Sequence, residues 1–175
     1  MNTQEFVILV DAADQEMGLM EKMEAHEKGL LHRAFSLFVF NDKQEMLLQR
    51  RALSKYHSGG LWTNACCSHP RPNETLKEAV KRRVQEEMGF SCEPQQSFSF
   101  IYRAELEHNL VEHELDHVFF ATYNDAPHIN LEEVCEWKYL NITAIRQEMA
   151  QTPAHYTAWF RIVFEKVMLH FAQIK

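Results

Sequence analysis

Residues 62–70, WTNACCSHP, place a thiol and an imidazole two positions apart. In an extended chain such side chains point to the same side, so Cys67 and His69 would share a face while Cys66 points away. A thiolate near a metal-bound histidine can act as a proton-transfer group. The alternative is a small buried cysteine beside a hydrogen-bonded histidine, and this short pattern alone favours that alternative.

Acidic residues alternate along residues 110–117, LVEHELDH, within a segment typical of a strand. Glu112, Glu114 and Asp116 would lie on one face, where three adjacent carboxylates repel each other unless a cation or protons neutralise them. The segment therefore indicates either a cation site or the exposed charges of an edge strand, and both alternatives stay open.

Two further histidines, His26 and His32, lie six residues apart ahead of an apolar segment. Their spacing alone favours solvent exposure over a ligand role.

Residues 68–90, SHPRPNETLKEAVKRRVQEEMGF, contain carboxylates at helical spacing. Carboxylates three and four residues apart on a helix can hold a hard cation that bridges a diphosphate, and a solvated acidic face is the alternative. The segment resembles the sequence box of the Nudix hydrolases, in register and without a gap. The matching positions are Ser68, Glu74, Arg82, Arg83, Val84, Glu86, Glu87, Gly89 and Phe90.

Two positions depart from that box: Ser68 replaces its first glycine, and Arg83 replaces a glutamate that the hydrolases use for metal binding. Arg83 lies one turn before Glu87, so it would repel a metal ion or pair with that carboxylate. We therefore expect that hydrolysis is lost, that Glu87 remains the ligand of one ion, and that Glu86 faces solvent or pairs locally.

Strands and helices alternate around these segments. Apolar runs predict strands at 6–10, 35–40, 46–49, 98–106 and 112–123, with a hairpin turn at 41–45 and a loop at 51–61. A helix is predicted at 74–88, with Asn73 as N-cap and Gly89 at its end, and a second amphipathic helix at the C-terminus. The fold class is α/β (α+β), with a mixed sheet flanked by helices in one domain spanning residues 1–175.

Composition narrows the possible functions. The 175 residues are 46% hydrophobic, carry a net charge of -7, and include ten histidines. The acidic balance disfavours nucleic-acid binding, and no apolar run is long enough for a membrane helix. The N-terminus lacks the features of a signal peptide, so we expect a cytoplasmic protein in which the four cysteines are free thiols.

Taken together, these segments resemble type 1 isopentenyl-diphosphate isomerase, a member of the Nudix superfamily. The resemblance covers most of residues 5–165. It rests on EKMEAH (21–26), LLHRAFS (30–36), QRRALSK (49–55), LWTNACCSHP (61–70), the altered box, FIYRAEL (100–106) and EHELD (112–116). Each motif alone is weak, whereas the set is specific.

The resemblance implies an enzyme that interconverts isopentenyl and dimethylallyl diphosphate through a tertiary carbocation. It implies one divalent metal, manganese, zinc or magnesium, held by His26, His32, His69, Glu112 and Glu114. Cys67 and Glu114 would transfer protons on opposite faces of the alkene, helped by Tyr102. Trp159 would cover the cation with its ring, although core packing explains that residue nearly as well.

The resemblance also implies that Lys22, Arg51, Lys55 and Ser68 bind the diphosphate, together with a magnesium ion on Glu87. The partner is thus a small molecule, with no nucleic acid or membrane partner, and the protein would be a monomer or weak oligomer. Two alternatives are a Nudix nucleotide pyrophosphohydrolase and a non-catalytic Nudix-like binding module. Phosphate release from nucleotides distinguishes the first, and metal analysis distinguishes the second.

Overall fold

A computed structural model describes residues 5–173, and this part of the chain contains nine strands and four α-helices. The strands are β1 (Phe6–Val10), β2 (Glu16–Glu21), β3 (His32–Phe40), β4 (Met46–Arg51), β5 (Trp62–Thr63), β6 (Cys66–Ser68), β7 (Gln95–Glu105), β8 (Val111–Thr122) and β9 (Val134–Leu140). The helices are α1 (Lys22–Lys28), α2 (Leu76–Met88), α3 (Ile142–Gln151) and α4 (Ala158–Phe171).

Strand β3 is the centre of a mixed sheet. It pairs in parallel with β8 along its whole length, from His32 opposite Glu114 to Phe40 opposite Thr122. It also pairs antiparallel with β1, β6 and β4 at successive positions. Strand β7 extends the sheet beyond β8, and β5 and β9 pair with β4. The predicted mixed sheet flanked by helices is confirmed.

Side chains of β3 alternate between two apolar cores, as expected for a strand covered on both faces. Phe38 and Phe40 pack towards α4, in the cluster that we call the α4-side core. Leu37 and Val39 pack towards α2, in the cluster that we call the α2-side core. An apolar row of α2 at four-residue spacing, Leu76, Val80, Val84 and Met88, lies in the α2-side core. The two helices therefore cover opposite faces of the sheet.

Helix α2 begins later than the sequence predicted. Thr75 is its N-cap: its hydroxyl accepts from the Glu78 amide, and the Thr75 amide donates to the Glu78 carboxylate. The prediction of Asn73 as N-cap was wrong, because Asn73 has a positive φ of 65° in the preceding turn. Gly89 ends the helix in the left-handed conformation, as predicted.

Among residues 5–173, no helix combines the length and the apolar character needed to cross a bilayer.

Candidate active site

Four side chains from distant parts of the sequence meet at one end of the sheet. His26 comes from α1, His32 from the start of β3, His69 follows β6, and Glu114 lies in β8. Each can offer one ligand atom, and the four atoms lie within 4.8 Å of one another. The pairing of His32 with Glu114 in adjacent parallel strands brings two of them together.

Backbone carbonyls orient two of the imidazoles. Nδ1 of His26 lies 2.7 Å from the Lys22 carbonyl, and Nδ1 of His32 lies 2.8 Å from the Leu30 carbonyl. A carbonyl can only accept, so each Nδ1 carries the proton and each Nε2 keeps a free lone pair. Imidazoles held in this way are typical metal ligands. The expectation that His26 and His32 would be exposed was wrong, since both are buried.

His69 and Glu114 complete the cluster. His69 Nε2 lies 2.9 Å from Glu114 Oε1 and 3.2 Å from His32 Nε2. Burial lowers the pKa of His69 to about 4, which favours its neutral form. Burial acts to raise the pKa of Glu114, but the adjacent His32 and His69 imidazoles hold that pKa well below its usual range. Three imidazoles and a carboxylate fit a divalent transition metal.

Glu112 and Tyr102 adjoin this cluster. The Tyr102 hydroxyl lies 2.6 Å from Glu114 Oε2 and 3.1 Å from Glu112 Oε2. Burial, followed by the charge of Glu114, raises the pKa of Glu112 well above its usual range. The three acidic residues of β8 are buried, so the alternative of exposed edge-strand charges was wrong. Glu112 lies outside the four-residue group, and its role as a ligand stays a prediction.

The two neighbouring cysteines point in opposite directions, as their alternation predicted. Cys66 is fully buried in the α2-side core, whereas Cys67 packs against the α4-side core and lines a cavity. Burial raises the pKa of the Cys67 thiol, which favours its protonated form.

This cavity has a volume of about 60 Å³. All of the site residues predicted from the sequence line it, except His32. His32 contacts His69 and has no exposed surface. A second cavity of about 690 Å³ adjoins the first and shares with it Lys22, Lys55, Ser68, His69, Arg83 and Glu133. A small polar cavity therefore adjoins a larger one whose lining includes five lysine and arginine side chains.

The cations of this region are paired with carboxylates. Lys22 Nζ lies 2.8 Å from Glu5 Oε2, and Lys55 Nζ lies 2.6 Å from Glu133 Oε2. Arg51 instead places its guanidinium 5.3 Å from the centre of the Trp159 ring. Trp159 is buried in the α4-side core, as the packing interpretation predicted, and it also lines the cavity. Its role in covering a cation stays a prediction.

Helix α2 contributes Arg83 and Glu87, which pair at 2.6 Å between Arg83 Nη2 and Glu87 Oε1. The other Glu87 oxygen accepts from Gln49 at 3.0 Å. Glu86 is more exposed and pairs with Arg82 and Arg83. The predicted ion pair of Arg83 with Glu87 and the local pairing of Glu86 are confirmed.

His57 is a site residue that the sequence did not reveal. It is buried, lies 3.8 Å from Glu112, and contacts the Trp159 ring edge-on. Its loop is held by a bond from the Ser58 amide to Glu107 at 2.9 Å. Glu133 was also missed. Neither residue belongs to a periodic segment, and their positions depend on loop conformation.

The fold and the site define a class. The NUDIX domain family matches residues 30–160. Among solved structures, DR0079 from Deinococcus radiodurans has a TM-score of 0.75 at 17% identity and covers 92% of this chain and 98% of its own. A MutT protein from Methanosarcina mazei Go1 has a TM-score of 0.65 at 22% identity, covering 78% and 91%. At these identities the structures support the fold alone, and the class is that of NUDIX-domain proteins.

Curated relatives narrow the class further. "Isopentenyl-diphosphate Delta-isomerase" of Pectobacterium atrosepticum is 50% identical over 92% of this chain and 90% of its own. The protein of that name from Burkholderia multivorans is 46% identical over 95% and 94%. The chain belongs to the isopentenyl-diphosphate Delta-isomerase family, which confirms the resemblance found in the sequence.

Proposed function

We propose that this protein interconverts isopentenyl diphosphate and dimethylallyl diphosphate, in isoprenoid biosynthesis. One observation carries the proposal: Cys67, Glu114 and Tyr102 line one small cavity beside a cluster of three histidines. The name of the relatives at 46–50% identity supports the same activity.

Proton transfer in this cavity requires a donor and an acceptor. One of Cys67 and Glu114 gives a proton to the terminal alkene carbon, which leaves a tertiary carbocation. The other removes a proton from the allylic carbon, so the double bond moves without any change in oxidation state. Tyr102 donates to Glu114 at 2.6 Å and holds that carboxyl at a fixed position.

The carbocation needs a surface that stabilises positive charge without reacting. The Arg51 guanidinium lies over the Trp159 ring, 5.3 Å from its centre, so the geometry of this site allows a cation to contact the π system of the ring. Such an attraction contributes about 2 kcal/mol when it is desolvated. We assign Trp159 this role in addition to its packing role.

One divalent ion, manganese, zinc or magnesium, fits the cluster of His26, His32, His69 and Glu114, with Glu112 as a fifth ligand. When bound, the ion supplies positive charge that neutralises the buried carboxylates of β8. The nitrogen-rich donor set favours a transition metal over magnesium. This proposal is supported by the two Nε2 atoms that the backbone leaves free.

The diphosphate is assigned to Lys22, Lys55 and Ser68, which line both cavities, and to Arg51, which lines the smaller one. Lys22 and Lys55 are paired with Glu5 and Glu133, so a diphosphate would compete with those carboxylates for the same ammonium groups. We assign a magnesium ion on the substrate to Glu87, which must then share its carboxylate with Arg83.

The protein is further proposed to act in the cytoplasm, as one domain over residues 1–175 and as a monomer or weak oligomer. Its only proposed partner is the small-molecule substrate, with no nucleic acid or membrane involved.

The direct test is incubation with isopentenyl diphosphate, with the product identified by NMR. We expect dimethylallyl diphosphate, formed in a reaction that a chelator stops and that needs no redox cofactor. Chelator-insensitive turnover, or a requirement for reduced flavin, would contradict the proposal. Phosphate release from nucleotides in place of isomerisation would instead support a pyrophosphohydrolase.

A further inference from the structure

A buried chain of polar side chains connects helix α4 to the Cys67 thiol. It consists of Thr157, Thr63 and Asn64, each of which has at most 1% of its surface exposed. Thr157 Oγ1 donates to Thr63 Oγ1 at 3.1 Å, and Thr63 Oγ1 donates to Asn64 Oδ1 at 2.9 Å. The Cys67 thiol lies 3.0 Å from the same Asn64 oxygen.

The orientation of the Asn64 amide is fixed by the backbone. Its Nδ2 donates to the carbonyls of Leu37 at 3.0 Å and Cys66 at 2.9 Å. Carbonyls only accept, so the atom facing them must be the nitrogen. The Asn64 oxygen is thereby left facing Cys67, and because it can only accept, the thiol must donate to it.

A second acceptor for the thiol competes less well. Ser36 Oγ lies 3.3 Å from Cys67 Sγ, a longer contact than the one to Asn64. The Ser36 hydroxyl donates to Asp116 Oδ2 at 2.7 Å. The Ser36 oxygen can therefore only accept from the Cys67 thiol, and its position is fixed by its hydrogen bond to Asp116.

Thr157 shows that this chain is not ordinary helix capping. It is the N-cap of α4, where a threonine hydroxyl usually accepts from a backbone amide of the first turn. In α4, which lies within residues 5–173, the Thr157 hydroxyl makes no capping bond and donates to Thr63 instead. The Thr157 amide donates to the Trp62 carbonyl at 3.0 Å. Trp159 lies two residues further along α4, so this contact ties the start of its helix to the Cys67 segment.

We propose that Asn64 is a positioning residue that fixes the direction of the Cys67 thiol, and that Thr63 and Thr157 anchor it to helix α4. The part of this inference that concerns turnover rests on the proposed function; the part that concerns the thiol does not. Small misplacements of a reacting group can reduce rates by about 100-fold.

Infrared spectroscopy of the S–H stretch reads the thiol directly. The full-length wild-type protein is compared with Cys67→Ala, whose difference spectrum isolates the Cys67 band. In Asn64→Ala we expect this band to move to higher frequency, because the thiol loses its acceptor. In Thr63→Val it should move to lower frequency, because the Asn64 oxygen then accepts from the thiol without a competing donor. Thr63→Ser keeps the hydroxyl and should restore the wild-type band.

Kinetics supply the second measurement. In Asn64→Ala we expect kcat to fall by about 100-fold with KM within about threefold of wild type, because the diphosphate contacts are untouched. An unmoved Cys67 band in folded Asn64→Ala, or a band that responds to Ser36→Ala instead, overturns the inference. If Asn64→Ala does not fold, an unmoved band in Thr63→Val overturns it equally. Band shifts in a protein without isomerase activity would leave the inference standing and refute only the proposed function.

Discussion

The Tyr102 hydroxyl and the Glu114 carboxylate lie 2.6 Å apart on directly opposed positions of β7 and β8. His69 binds the other oxygen of Glu114 at 2.9 Å. The carboxylate is therefore held at both oxygens, by a phenol on one side and an imidazole on the other. Antiparallel register alone sets the first contact, because opposed side chains share a face of the sheet.

Removal of this phenol should slow turnover without removing the metal. In Tyr102→Phe we expect kcat to fall by about 100-fold, because Glu114 loses a donor in the proposed proton-transfer step. Metal content should stay at the wild-type level. Tyr156→Phe is the matched control: it also removes a hydroxyl bound to a glutamate, Glu148, but outside the cavity, and should retain kcat. Loss of activity in both variants would contradict a specific role for Tyr102.

The opposite directions of the two cysteines predict opposite consequences of their removal. Cys67→Ala should abolish turnover, because this thiol lines the cavity. Cys66→Ala should retain most activity and reduce the free energy of unfolding by about 1 kcal/mol, because a small group is lost from the α2-side core. Steady-state kinetics and urea denaturation measure both effects. Equal activity losses in two folded variants would show that the facing argument is wrong.

Metal content tests the ligand assignments. His69→Ala and Glu112→Ala should each lower the metal bound per chain, measured by inductively coupled plasma mass spectrometry after dialysis. His113→Ala is the control, since His113 binds the Gly29 carbonyl outside the four-residue cluster. A full complement of metal in Glu112→Ala would remove Glu112 from the ligand set and leave the other four assignments intact.

Much of this site could be predicted from local patterns, and the exceptions have physical causes. Alternation placed Glu112 and Glu114 together, and helical spacing paired Arg83 with Glu87, because both depend only on secondary structure. The burial of His32 could not be predicted in this way. It depends on β3 lying between β8 and three other strands, which is a property of the whole sheet.

The elements that were missed are short or weakly patterned. The sequence did not predict strand β2 and helix α1, which lie within residues 16–28, or strand β9 and helix α3, which lie within residues 134–151. Helix α1 has seven residues, too few to show a helical period, and its stability comes from packing. The Asn73 error has a similar origin, since Asn and Thr are both good N-caps and only the capping box with Glu78 distinguishes them.

Substitution of Gly89 by a larger residue should strongly reduce the stability of the fold. Its φ is 69°, and a Cβ there would lie 2.1 Å from the His128 carbonyl oxygen. Gly89→Ala should therefore lower the free energy of unfolding by about 3 kcal/mol or more. Gly18→Ala is the control, because Gly18 also has a positive φ but has no heavy atom within 4 Å of an added Cβ. Urea denaturation that gives equal losses in the two variants would show that the clash has no part in the effect.

A NUDIX domain with this site should not hydrolyse its substrate, because a fixed cation occupies the place of a metal ligand. Arg83 Nη2 lies 2.6 Å from Glu87 Oε1 and 3.5 Å from Glu133 Oε2, so one guanidinium occupies the space between two carboxylates. Burial acts to lower the pKa of Arg83, but the neighbouring acidic groups, Glu87 first among them, together raise it, so the guanidinium keeps its positive charge. A second divalent ion at this position would meet that charge.

We therefore expect the wild-type protein to release no phosphate from nucleoside di- or triphosphate derivatives, with either magnesium or manganese present. Arg83→Glu would remove the cation and add a ligand, but we expect little hydrolysis, because the roles proposed for Cys67, Tyr102 and Glu114 lie in proton transfer and not in the activation of water. Arg82→Glu is the control on the neighbouring position, where the side chain pairs with Glu74. Phosphate release by wild type at a rate comparable to isomerisation would refute the assignment of Arg83 as the residue that excludes the second ion.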